Sequence, residues 1–252
     1  MSFSPANTKL EKLYDFPALK PWLTNKRKVY SFDQLSGHSC PFAKECYSKA
    51  VETPEGLRIQ DGPNTLFRCY SASQEVIYKN AYNKRKRNME TMRSMTESGI
   101  VRHLLNLTPK NMGVCRIHAS GDFLNPKYFR GWMHYARKMP DTLFYAYTKC
   151  LPYWIKNQEL IPENVILTAS RGGRKDDMID THGLRSVVVV GSEKEAKDKG
   201  LEIDHDDSHA CDPHKREKDF ALLIHGPQPA GSESSKALQI LKKAAKLAKV
   251  AK

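Results

Sequence analysis

The feature that most constrains this chain is an alternation. Short apolar runs recur between segments of helical character. The runs lie at 28–32 (KVYSF), 65–69 (TLFRC), 113–120 (GVCRIHAS), 143–148 (LFYAYT), 164–170 (NVILTAS), 186–192 (SVVVVGS) and 220–226 (FALLIHG). Most lack a clean polar/apolar alternation, which is the pattern of strands covered on both faces. Helical segments at 71–95, 125–139, 151–160 and 192–200 separate several of them. Asn125 is a cap for the second, with Pro126 in its first turn. Gly200 closes the fourth. Strand, helix, strand, repeated, predicts a mostly parallel sheet with helical crossovers.

Two architectures accommodate seven such strands: an incomplete (β/α) barrel and an open doubly wound sheet. We expect the incomplete barrel, as a single α/β domain over 28–231 that carries the cysteine site. Residues 1–27 read as an N-terminal extension and 202–219 as an inserted loop. Residues 232–252 read as a basic amphipathic helix. Its Leu238, Leu241, Ala245 and Ala248 share one stripe, so part of it should pack on the body.

At 252 residues, the chain can bury a core without staples. Six cysteines are too few for a disulfide scaffold and fit a reducing compartment, where clustered thiols serve metals or catalysis. No apolar run approaches the 18 residues of a membrane span, and the first residues lack the order of a signal peptide. A cytoplasmic location and no membrane partner are the expectation. The net charge of +13 is concentrated. Lys84, Arg85, Lys86 and Arg87 form one basic run. Lys236, Lys242, Lys243, Lys246, Lys249 and Lys252 form another. These segments can bind nucleic acid, or simply be solvated surface.

In parallel α/β folds, sites gather at the C-terminal ends of the strands. Read that way, the polar residues fall in register. His38, Cys40 and Cys46 follow the first run; Cys69 closes the second. His118 and Asp122 follow the third, Lys149 and Cys150 the fourth, Arg171 and Arg174 the fifth, and His225 the last. Candidate catalytic residues are His118, Asp122, Lys149, Arg171 and His205. Arg171 and Arg174 flank two glycines in a loop suited to a carboxylate or phosphate.

Cys40 and Cys46 are spaced Cys-x5-Cys, loose for a zinc knuckle built on close pairs. An iron–sulfur cluster is larger and draws ligands from scattered loops. The expected cofactor is a [4Fe-4S] cluster held by Cys40, Cys46 and Cys69, with zinc as the alternative. A fourth ligand is Cys211, a histidine, or absent; with three, one iron stays open to a small molecule. Cys115, inside a strand, reads as core. The stretch 204–214 (DHDDSHACDPH) is dense in carboxylates and imidazoles, including Asp204, His205, Asp206, Asp207 and His209. Such donors suit zinc, iron or manganese, and also Asx turns. An acid–base pair or the fourth ligand is its expected contribution. It lacks the glycine and terminal glutamate of a calcium loop. No P-loop and no Gly-x-Ser-x-Gly elbow is present.

The motifs SFDQLSGHSCPFAKECYSKA, FRCYSASQEV, RIHASGDF, FYAYTK, LTASRGGR, IDHDDSHA and FALLIHGPQPAGS together resemble the bacteriophage "gene product 88" family over about 30–236. That resemblance implies a viral origin and a host-cytoplasm location, without an assigned reaction. A weaker similarity is to radical S-adenosylmethionine enzymes. Their partial barrel holds a [4Fe-4S] cluster in a cysteine loop after the first strand, where Cys40 and Cys46 stand here. Their Cys-x3-Cys-x2-Cys spacing is missing, so cleavage of S-adenosylmethionine is not carried over. The leading expectation is an iron–sulfur protein acting on a small-molecule substrate or an electron-transfer partner. The alternatives are a zinc-containing nucleic-acid-binding protein and a protein that binds a host factor.

Overall fold

A computed structural model describes the backbone of residues 2–250 and the side chains through Lys246. The chain opens with strand β1 (Ser4–Pro5), then α1 (Thr8–Glu11), two short 3-10 turns, and α2 (Lys20–Leu23). β2 (Lys28–Phe32) is followed by a hairpin of β3 (Ser48–Thr53) and β4 (Gly56–Asp61). Helices α3 (Tyr70–Ile77), α4 (Lys79–Ser94) and α5 (Glu97–Leu107) lead to β5 (Met112–Ile117). Then come α6 (Pro126–Arg137), β6 (Leu143–Thr148), α7 (Leu151–Lys156), β7 (Val165–Ser170), α8 (Asp177–Thr181) and β8 (Ser186–Val190). The chain ends with α9 (Glu193–Asp198), β9 (Glu202–Ile203), α10 (Ser208–Cys211), β10 (Phe220–Leu223) and α11 (Glu233–Val250).

One sheet runs β1-β2-β5-β6-β7-β8-β10-β9. β1 pairs antiparallel; the other neighbours pair parallel. From β2 to β8 each of its strands is added on the same side as the last; the short β9 then takes the outer edge and β10 fits between it and β8, so the order reverses once, at β9. The sheet does not close, since β1 and β9 lie at its two edges. With right-handed crossovers, the order from β2 to β8 puts those connecting helices on one face, and the step back from β9 to β10 puts α10 on the other.

Both faces are buried, which explains the near-continuous apolar strands. Phe32, Cys115, Ile117, Phe144, Ala146, Val165 and Leu167 face α5 and α6, packing with Ile100, Leu104, Tyr128 and Trp132. The intervening residues Val29, Val114, Tyr145, Ile166 and Val187 face the other way. That second face is covered by Leu10, Leu13 and Leu19 from the N-terminal segment and by Ala210 and Cys211 from α10. Within the N-terminal segment, residues 6–23 form a layer over this face. At Gly113 a Cβ would lie 2.0 Å from the Trp22 carbonyl oxygen, so glycine there permits the close approach.

Six of the seven expected strands form. Residues 65–69 do not. Leu66 is exposed, and the Leu66 and Phe67 amides donate to the Glu45 carbonyl while Arg68 N–H donates to Gln228. The loop is tied down piecewise and never finds a strand partner. The hairpin β3–β4 was outside the expectation, although SKAVET and GLRIQD flank a Pro54–Glu55 turn. Helix 71–95 breaks at Tyr78, whose backbone leaves the helical region, and α5 is an additional helix. Of the α11 stripe, Leu238 and Leu241 are half-buried and Ala245 is exposed; Ala248 lies outside the described side chains. Lys249 falls there too, and Lys252 lies outside the described residues.

Candidate functional site

The Cys40 loop begins where β2 ends. Gly37 has φ +70°, and a Cβ there would stand 2.5 Å from the Ser48 carbonyl oxygen. Only glycine admits that turn against the hairpin. Ser36 donates to the buried Glu75 through both its amide (3.1 Å) and its hydroxyl (2.9 Å). The His38 ring bonds the Ala50 carbonyl at 2.7 Å. His38 thus anchors the loop and does not reach the cavity as a ligand. The far side of the loop is held by the segment after β7: Glu45 N–H donates to Gly172 at 2.9 Å, and Arg174 Nε donates to the Ala43 carbonyl at 3.2 Å.

Cys69 is the N-cap residue of α3, supplied from the 65–69 loop. Its thiol is pushed up to about 11, by burial first and then by Cys46; the Ala72 and Ser71 amides oppose the shift. Cys40 is also raised well above its ordinary value by burial, then by Asp122, Cys69 and Cys46. The six cysteines divide cleanly by exposure. Cys40, Cys46 and Cys69 are half-buried, while Cys115, Cys150 and Cys211 are fully buried. All three half-buried thiols line one cavity of about 460 Å³.

That cavity lies at the C-terminal edge of the sheet. Residues from or just after β5, β6, β7, β8 and β10 line it: Arg116, Asp122, Tyr147, Lys149, Ser170, Val189, Leu222 and His225. The N-terminal segment contributes Lys9, and the loop before α3 contributes Phe67 and Tyr70. The volume is within the range of small-molecule sites. Among the described residues, no group of three or more His, Cys, Asp or Glu side chains is arranged to hold a metal ion.

The structure brings some of the sequence candidates to this cavity and removes others. Asp122 lines it, and its carboxylate accepts from Thr148 Oγ1 (2.6 Å), Lys149 N–H (2.8 Å) and Phe123 N–H (2.7 Å). Burial raises its pKa against those three bonds. Lys149 lines it too, with Nζ donating to the Ser170 hydroxyl at 2.7 Å and to the Ser170 and Arg171 carbonyls. Its three N–H groups are thereby occupied.

His118 borders the cavity but its ring is turned away. A left-handed backbone (φ +68°) swings the side chain off the strand's alternation. The ring packs on Phe123, Tyr128 and Trp132, and bonds Tyr128 Oη at 2.9 Å. Burial, with the Arg116 charge second, lowers its pKa to about 3. His118 is a neutral core residue, not an acid–base group. Arg171 also points away, donating to Ser186 Oγ (3.0 Å) and Asp180 (2.7 Å). With Arg174 on a carbonyl, the expected anion loop is scaffolding. His205 is exposed in a separate depression with Glu193 and Ala196.

Cys211 does not join the other thiols. It is buried in the second core with Tyr145 and Phe220, its sulfur 3.8 Å from the Ser208 carbonyl. The 204–214 stretch is a chain of Asx turns: Asp206 N–H donates to Asp204, and Ser208 N–H to Asp206. Its one reach toward the cavity is Asp207, held at φ +68°. Asp207 is buried and pairs with Arg116 and Lys9, each at 2.6 Å; Tyr145 Oη donates to it at 3.0 Å. Burial works against its charge, but Arg116 and Lys9 outweigh it and hold the carboxyl below its ordinary range. Sequence reasoning missed Lys9, Arg116 and Tyr147, and named Asp207 only among the donors of the 204–214 stretch. The available signal was an arginine inside the apolar run GVCRI.

The basic run of α4 is engaged internally. Lys84 donates to Ser4 Oγ (2.7 Å), Arg85 pairs with Glu75 (3.2 Å), and Lys86 pairs with Glu52 (2.9 Å). Arg87 alone of the four is exposed. No helix among the described residues is long and apolar enough to cross a membrane.

The family described as Gene product 88 matches residues 1–245, nearly the whole chain. The chain belongs to the Gene product 88 family. This is the phage family its motifs resemble, and the match extends the likeness to the N-terminal layer that covers the second face. No curated protein and no solved structure matches the chain.

Proposed function

We propose that this Gene product 88 member is an iron–sulfur protein whose cluster sits between Cys40, Cys46 and Cys69 at the mouth of a partial (β/α) barrel. One observation carries the reading: the three half-buried thiols of the chain, drawn from two separated loops, line a single cavity, while the other three are buried in the cores. The donor set fits a cluster. Thiolates are soft ligands suited to iron–sulfur centres, and a cluster tolerates thiols set too widely for one metal ion. The three thiols that line the cavity are of that type. The strand order from β2 to β8 supports the partial barrel, since those crossovers then fall on one side.

A [4Fe-4S] cluster on three protein thiolates supplies one iron without a protein ligand, available to a small molecule. The chain's own residues do the rest. Burial raises both Cys40 and Cys69, helped by Asp122 at the first and Cys46 at the second, so both release protons when they bind a cluster as thiolates. Glu75, Gly37 and the segment after β7 fix the Cys40 loop. Phe67, Tyr70, Leu222 and Ile224 restrict water at the cavity wall. A reducing compartment such as the host cytoplasm keeps the thiols available.

The test is anaerobic reconstitution of the full chain with iron and sulfide. A brown protein with near-stoichiometric sulfide supports the reading. A colourless protein that instead retains one zinc per chain sinks it in favour of a structural metal.

A further inference from the structure

The cavity has a second chemical end, which the cysteines do not use. Arg116 and Lys9 both pair with the single buried carboxylate of Asp207. Two cations thus converge on one side of the cavity. Arg116 donates Nη1 to Asp207, and its Nε finds no acceptor among the described residues. An unsatisfied guanidinium N–H in a buried setting costs free energy unless an acceptor arrives. The Tyr147 ring lies 5.0 Å under the same guanidinium and fixes its plane. Asp204, the next carboxylate, is buried and has its pKa raised, by burial first and Asp207 second.

The remaining wall is apolar and aromatic. Val189, Leu222 and Ile224 come from the sheet edge, and Phe67 from the loop before α3. Tyr70 and His225 stack there with ring centroids 4.5 Å apart. A planar fork donor at one end and an apolar wall beside it define an amphiphilic acid.

We propose that this cavity binds a small organic acid, its oxyanion held by Arg116 and Lys9 and its apolar body against Ile224, Leu222 and Tyr70. This deepens the reading of the cavity as a small-molecule site and names the class of molecule. The anion end uses no cysteine, so it stands or falls independently of the cluster.

The probes are benzoate, phenyl phosphate and the neutral isostere benzamide. Binding is titrated calorimetrically to the full chain, with and without reconstituted iron. Benzoate or phenyl phosphate should bind both preparations; which binds better distinguishes carboxylate from phosphate. Benzamide should bind at least tenfold more weakly. Arg116→Gln should weaken the acid about tenfold or more, the loss of a charge-assisted hydrogen bond. Because that variant leaves Asp207 short of a partner, Lys9→Met, at a half-exposed position, serves as the second variant. It should weaken binding while the Arg116 pair keeps the fold. Val189→Trp, which fills the cavity from the sheet, should abolish binding of all three probes. Equal binding of benzoate and benzamide would overturn the proposal. So would no binding of either acid at millimolar concentration, or unchanged affinity in folded Lys9→Met.

Discussion

At the scale of single residues, burial decides what each titratable group does. His118 is the clearest case. Its folded pKa of about 3 lies below the ordinary value of 6.5, so the folded state resists the proton that the unfolded chain accepts. Its contribution to stability is complete above pH 6.5 and declines as pH falls from there toward 3. Between pH 7.5 and 5 this amounts to about 2 kcal/mol lost. Urea unfolding of wild type and His118→Gln at those two pH values checks it. The variant should lose about 2 kcal/mol less than wild type over the interval, and equal losses would show that His118 is not the group. The sequence signalled a histidine after a strand, which is correct. It carried no signal that a left-handed backbone turns the ring into Phe123, Tyr128 and Trp132. Cys211 is similar: its type fits a ligand, and only the fold shows it against Tyr145 and Phe220. Cys211→Ala should therefore keep full iron and sulfide content, and instead lose about 1 kcal/mol or more of stability from the small cavity it leaves.

At the scale of elements, the loops do more than the strands announce. Six strands were legible because apolar runs covered on both faces leave a dense composition signal. The hairpin β3–β4 was not, because its exposed positions are Glu52, Gly56, Arg58 and Gln60 and only Ser48 and Ala50 are fully buried, which leaves no dense apolar run. The 204–214 stretch was legible as unusual but not as what it is. Local Asx bonding at Asp204 and Asp206 shapes it, and the product is one carboxylate, Asp207, delivered between Arg116 and Lys9. This predicts a sharp contrast within three residues. Asp207→Asn strips the buried charge that Arg116 and Lys9 share, and should cost about 3–5 kcal/mol. Asp206→Asn keeps an Asx acceptor and should cost less than about 1 kcal/mol. Thermal or urea unfolding of the two variants reads the difference directly. Similar losses in both would mean that the loop, not the ion pair, carries the stability.

At the scale of the whole molecule, a parallel sheet whose strands from β2 to β8 are added in one direction leaves one face without their crossover helices. Residues 6–23 and α10, from the step back between β9 and β10, cover it. The N-terminal layer also supplies Lys9 to the cavity, so one segment serves both core and site. Removing residues 2–23 should expose Val29, Val114 and Ile166. A chain with loose packing, dye binding and no cooperative unfolding is expected, with far-ultraviolet helix and strand signal largely retained. A sharp transition like that of the full chain would show that the layer is dispensable. The same architecture brings the Cys40 loop and the start of α3 to one edge of the sheet. Alternation alone made that edge predictable, but the convergence of Cys69 depends on the 65–69 loop, which the sequence disguised as a strand. The measurement that bears most directly on the account is iron and sulfide per chain after anaerobic reconstitution, for wild type and for Cys40→Ala, Cys46→Ala and Cys69→Ala. The account predicts near-stoichiometric iron and sulfide in wild type, and loss of most of both in each of the three variants. Full iron and sulfide in all three variants would contradict it.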